Sequence, residues 1–150
     1  MARNAWVTFE EFSEDLANGV HNLGSDTFIV ALITNAATEP VAGTATPRWA
    51  DFSGNEVADG NGYTSPGATL SGTSIAEAAG VSTFDDTGNV TWSQNASGFE
   101  NAYWAILYND SATNKEAVGF LDLGGPVSLV TGDLTITWNA SGVLTVTVSA

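Results

Sequence analysis

Cysteine is absent from this 150-residue chain, which excludes disulfides, thiolate metal sites and cysteine nucleophiles. Histidine occurs once, at His21, so neither a His-cluster metal site nor a mechanism with two imidazoles can be built. Positive charge is scarce: 3 Lys and Arg stand against 17 Asp and Glu, a formal net charge of −14. Nucleic acid is bound mainly through Lys and Arg that neutralise phosphates. Arg3, Arg48 and Lys115 are too few and too scattered for that, so no nucleic-acid partner is expected. No apolar run approaches the ~18 residues of a membrane span, and polybasic segments are lacking. Met1-Ala2-Arg3-Asn4-Ala5-Trp6 has no apolar signal-peptide region. The expectation is a product made in the cytoplasm with no membrane partner.

What is present reads as globular. Hydrophobic residues make up 43% and charged residues 13%, and a chain of this length buries a core without staples. Residues 1–150 read as one β-rich domain. Phe9, Phe12 and Leu16 repeat on one helical face. Thr8 followed by Glu11 has capping-box spacing, and Asn18-Gly19 supplies a stop. A helix is expected over about 8–17, within a helical N-terminal arm of about 1–20. Thr27–Ile33 is apolar on both alternations, as in a central strand buried on both faces. Residues 34–50 have no period and read as a long loop or arm, anchored at its far end by Trp49 and Phe52. Ile75–Ala79 reads as a single helical turn.

From residue 81 strands recur: Val81–Phe84, Val90–Trp92, the aromatic Ala102–Tyr108, and Ala117–Leu123, broken by Gly124-Gly125-Pro126. Leu134, Ile136 and Trp138 alternate with threonines, and Asn139–Gly142 turns into Val143–Val148, which reads as a hairpin. Strands every 10 to 15 residues after one short helix indicate a mainly β fold, an antiparallel β-sandwich or jelly roll with one short N-terminal helix.

Chemistry finds little to stand on. The nucleophile-elbow pattern fails at Gly72-Thr73-Ser74-Ile75-Ala76, and His21 reads as a partly exposed loop or capping residue. Glycoside hydrolysis needs two placed carboxylates, and none is marked among the many in turns. Counting from Asp59, Thr64 and Leu70 break the EF-hand spacing. Asp, Asn and Gly are the residues that tight turns demand. No catalytic residue, metal or cofactor is expected. Of the five tryptophans, Trp104 and Trp138 sit in phase with apolar neighbours and read as core, whereas Trp6 and Trp49 flank irregular segments. The Asn-X-Ser/Thr triplets at Asn89, Asn95, Asn109 and Asn139 are ordinary in an Asn/Ser/Thr-rich β protein.

The layout as a whole resembles a known class. Trp6-Val7-Thr8-Phe9-Glu10-Glu11-Phe12 leads through His21-Asn22-Leu23-Gly24 into Ser25–Leu32. Gly60-Asn61-Gly62-Tyr63-Thr64, Ala105–Asp110 and Gly132–Trp138 follow. This is similar to small structural proteins of tailed bacteriophages, particularly capsid decoration (cement) proteins. The resemblance implies a non-enzymatic virion subunit, often a homotrimer, seated on the outer capsid surface with the major capsid protein as partner. An acidic subunit suits the outside of a shell whose inner face meets packed DNA. The expected docking residues are Arg3, Trp6, Phe9, Phe12 and Trp49, with packing on its own sandwich the competing role for Phe9 and Phe12. The alternative is a host-glycan-binding module of a head or tail fibre, with Trp6, Trp49 and Tyr63 as a stacking site.

Overall fold

A computed structural model describes residues 5–35 and 39–149. Among these the strands are β1 (Trp6–Thr8), β2 (Phe28–Thr34), β3 (Ala68–Thr69), β4 (Thr73–Ala78), β5 (Val81–Asp86), β6 (Val90–Trp92), β7 (Ala102–Asn109), β8 (Ala117–Val127), β9 (Leu134–Ile136) and β10 (Leu144–Thr147). The helices are α1 (Phe12–Ala17) and α2 (Trp49–Phe52), with a 3-10 turn at Ser53–Asn55. Three antiparallel sheets result, ordered β1-β8-β7-β2-β3, β10-β5-β4 and β6-β9. The fold is mainly β and sandwich-like, as the sequence predicts.

The doubly apolar run explains the layering. Successive strand residues point to opposite faces, and β2 is buried from Phe28 through Ile33. Phe28, Val30 and Leu32 join Ala105 and Leu107 against Phe84, Trp92, Ile136 and Leu144 of the two smaller sheets. The Phe28 and Phe84 rings lie 5.1 Å apart. Ile29, Ala31 and Ile33 join Ile106 and Tyr108 on the other face, under Phe9, Trp49 and Phe52. Each fully buried aliphatic or aromatic side chain contributes roughly 1.5–3 kcal/mol.

Several expectations are corrected. The helix begins at Phe12, not Thr8: Thr8 pairs with Gly119 of β8, and the Phe9 N–H extends that ladder to the Val118 carbonyl. Sheet pairing therefore claims the residues that looked like a helix cap, and Glu11 caps α1 without a side-chain hydrogen bond. The stop is as read. Gly19 has φ +74°, and its N–H and that of Val20 bond back to the Leu16 and Asp15 carbonyls, a Schellman closure. Residues 5–20 are thus part of the body rather than an arm; the first four residues of the expected arm lie outside the described residues.

The described part of 34–50 is likewise fastened. Ala42 accepts from the Glu10 N–H, Pro47 from Ala117, and the Trp49 N–H donates to the Lys115 carbonyl. Trp49 and Phe52 anchor its far end, as expected, and cover the outer face of the large sheet.

Ile75–Ala78 is strand, not helical turn, because β4 pairs in unbroken register with β5. Gly124-Gly125-Pro126 does not end β8. Ala102 pairs with Val127 and Trp104 with Asp122, so the glycines, at φ +85° and +123°, bulge within a continuing strand. The expected last hairpin splits. Asn139 and Gly142 close a turn, but β9 pairs with β6 and β10 with β5, so the chain turns a corner between sheets.

Candidate functional site

The expected docking residues are scattered by the fold. Arg3 lies outside the described residues. Phe9 is 1% exposed, between the rings of Phe52 at 6.0 Å and Phe120 at 5.2 Å. Phe12 is buried against His21, centroids 5.3 Å apart. Trp49 is stacked on Tyr108 at 4.9 Å and 5°. These three serve the protein's own core and, so placed, offer no surface to a partner. The stacking trio is also undone: Tyr63 and Trp49 belong to clusters on opposite faces of the large sheet. The Tyr63 hydroxyl is consumed, donating to Glu56 Oε1 (2.7 Å) and accepting from the Leu32 N–H (3.1 Å). Burial raises its pKa, with Glu56 adding to the shift.

Trp6 keeps a partly open position. It pairs with Leu121 of β8 and lies over Gly119, where a Cβ would stand 2.5 Å from its Cζ2. Its ring meets Trp138 edge-on, centroids 5.8 Å apart at 87°. Together they border a cleft of about 270 Å³, completed by Leu121, Ile136, Asn139 and Val143. Trp138 is partly buried here, packed against the core but beyond the end of β9. It is held by its Nε1–H donating to Asp86 Oδ2 (3.2 Å), while Asp86 Oδ1 accepts from the Gly72 N–H (2.7 Å). The Trp6 Nε1–H is buried and has no hydrogen-bond partner among the described residues. The cleft adjoins β1, which among the described strands is an edge strand bonded to β8 alone.

The second polar feature escaped sequence reasoning. His21 is 4% exposed, not a loop-surface residue. Asn109, fully buried at the end of β7, donates from Nδ2 to Asp26 Oδ2 (2.7 Å) and His21 Nδ1 (3.2 Å). Its Oδ1 accepts the Ser111 and Ala112 N–H groups. Accepting at Nδ1 puts the imidazole proton on Nε2, 3.9 Å from Asp15 Oδ2, too far for a hydrogen bond. Burial lowers the His21 pKa despite the carboxylates of Glu116 and Asp26, so the pair with Asp15 is not ionic at neutral pH. Burial, then Glu116 and Glu14, raises the Asp15 pKa. Burial would raise Glu116 as well, but hydrogen bonds from Asn114 and backbone groups, together with Arg48, outweigh it and lower its pKa.

A pH dependence follows. A base whose pKa is lower in the folded state binds more protons when unfolded, so its contribution is present above about 6.5 and is lost as pH falls through that value. Urea titrations from pH 7 to pH 5 should show wild type losing stability relative to His21→Gln. Parallel curves for the two proteins would contradict a neutral, buried imidazole.

No three His, Asp or Glu side chains converge as a metal-binding group among the described residues. Asp59, in the turn with the calcium-like composition, accepts from the Ser65 N–H, the work of a turn residue. Comparison with family models, with curated proteins and with solved structures finds no match to this chain.

Proposed function

We propose that this chain is a structural virion subunit, a decoration protein that binds the outer surface of a tailed-phage head through the major capsid protein and stabilises the head by adhesion. The observation that supports this reading best is the Trp6–Trp138 cleft beside the open edge of β1. A half-covered tryptophan is a strong interface anchor. An edge strand offers main-chain N–H and C=O groups for a partner strand. The net charge of −14 favours a face turned away from packaged DNA.

Purified protein incubated with heads stripped of decoration should pellet with them. Trp6→Ala should weaken that binding about tenfold or more. The half-buried ring also packs on Gly119 and Trp138, so the variant should lose about 1–3 kcal/mol of stability, and binding must be compared where both proteins are folded. Wild-type protein left wholly in the supernatant would overturn the reading. Binding instead to immobilised host glycans would favour the fibre-module alternative.

A further inference from the structure

The β10-β5-β4 sheet ends in an unprotected edge. All six residues of β4 are exposed, and among the described strands it is bonded to β5 alone. Ile75 is 44% exposed, at the rim of a groove of about 430 Å³ that Leu16, Leu23 and Val146 also line. Proteins that stay monomeric blunt such edges with Lys, Pro, bulges or inward charges. Thr73-Ser74-Ile75-Ala76-Glu77-Ala78 contains no Lys or Pro, its register with β5 is continuous, and its one charge, Glu77 on the face of Ile75, accepts from the Gly80 N–H at the far end of the strand.

Charge marks the same place. Between Gly60 and Phe84 the sole charged residue is Glu77, and none follows Asp133. Two copies carrying −14 each repel wherever their acidic surfaces face one another. In the three-stranded sheet the other acidic residues are Asp85 and Asp86 at the end of β5, beside Ser74 and Thr73. Asp86 is buried and accepts from the Gly72 N–H and Trp138 Nε1–H, so the charges that two such edges bring together are Glu77 and Asp85.

We propose that β4 pairs antiparallel with β4 of a second copy, about a two-fold axis through Ile75, to make one continuous six-stranded sheet. Such an axis stands perpendicular to the sheet, so opposed residues share a face and are separated in sequence by an even number. Centred on Ile75, the pairing sets Ile75 opposite its own copy, Thr73 opposite Glu77 and Ser74 opposite Ala76. Centring on Ala76 sets Ile75 against Glu77, and centring on Glu77 opposes like charges, which destabilises a sheet. The register centred on Ile75 is the one that sets this apolar side chain against its own copy and Glu77 against an uncharged partner, and it brings the two grooves together beside the axis. The pairing does not depend on the head-binding reading: either can fail while the other stands.

The chain's lack of cysteine makes the test direct. Sedimentation velocity of wild type should show a dimer whose affinity tightens as salt screens the mutual repulsion. Ile75→Lys, which opposes two cations at the axis, should raise the dissociation constant about tenfold or more with the melting temperature of the monomer little changed. Ile75→Cys places two thiols on directly opposed strand positions, within disulfide reach, and should crosslink under mild oxidation. Val41→Cys, 54% exposed elsewhere, should not. A wild type monomeric at high concentration and high salt, or a trimer of the kind the resemblance implies, would overturn the proposal. So would an Ile75→Cys variant that crosslinks no faster than Val41→Cys.

Discussion

Asn109→Ala is expected to cost about 3–5 kcal/mol, at the upper end for a single substitution, and to lower the melting temperature by roughly 10 °C or more. The side chain is fully buried. Truncation removes the acceptor for the Ser111 and Ala112 N–H groups and the donor shared by Asp26 and His21. Each buried polar group left unpaired costs about 1–3 kcal/mol. Asn109→Asp separates the two losses: it keeps the acceptor but turns a carboxylate toward Asp26. Its deficit should shrink on acidification, whereas that of the alanine variant should not. Urea titrations of the three proteins at pH 7 and pH 5 make the comparison, and a loss below about 1 kcal/mol for Asn109→Ala would mean the network is not holding the β7 end.

Gly67→Ala is expected to be comparably severe, above about 3 kcal/mol, for a different reason. Gly67 has φ +112°, and a Cβ there would stand 2.2 Å from the Val30 carbonyl oxygen and 2.8 Å from Ala31 Cα. Both are backbone atoms of the central strand and cannot step aside, so β3 must leave β2. Gly60 is the control. Its φ is +102° with no atom within 4 Å of the added Cβ, so alanine there reports conformational strain alone, about 1 kcal/mol. Equal losses at the two positions, measured by thermal unfolding, would refute the contact argument.

These two sites show what the sequence makes legible. The central strands were readable because β2 is apolar on both alternations and β7 is rich in aromatics, signals carried within each segment. Their two-sided burial then requires covers, which Phe9, Trp49 and Phe52 supply from distant parts of the chain. Pairing partners are not a local property, and no single window of the sequence specifies them. Trp6–Thr8 is too short to show a period, and the apparent cap at Thr8 and Glu11 is coincidental because Gly119 recruits Thr8 into a sheet. The turn at Asn139–Gly142 was legible, but not that its two arms enter different sheets. At the candidate site, Trp6 was singled out because it adjoins an irregular end, and it does remain partly open. Trp49 had the same local signature and is stacked away on Tyr108. Asn109 gave one faint signal, a polar residue closing the most aromatic strand. The edge at Ile75 was masked by small residues that suit a helical turn as well as a strand.

The wide reach of the ladders has a bearing on biogenesis. Trp6 is partnered by Leu121 and Phe28 by Asn109, so the N-terminal strands emerge from the ribosome long before their mates are translated. Through that interval the stickiest stretch of the polypeptide, Phe28–Ile33, has no sheet to enter and is open to capture by chaperones or by other nascent copies. Native structure therefore forms late and almost at once, when β7 and β8 arrive, and expression at lower temperature or with added holdase should raise the soluble yield more than any change to the surface.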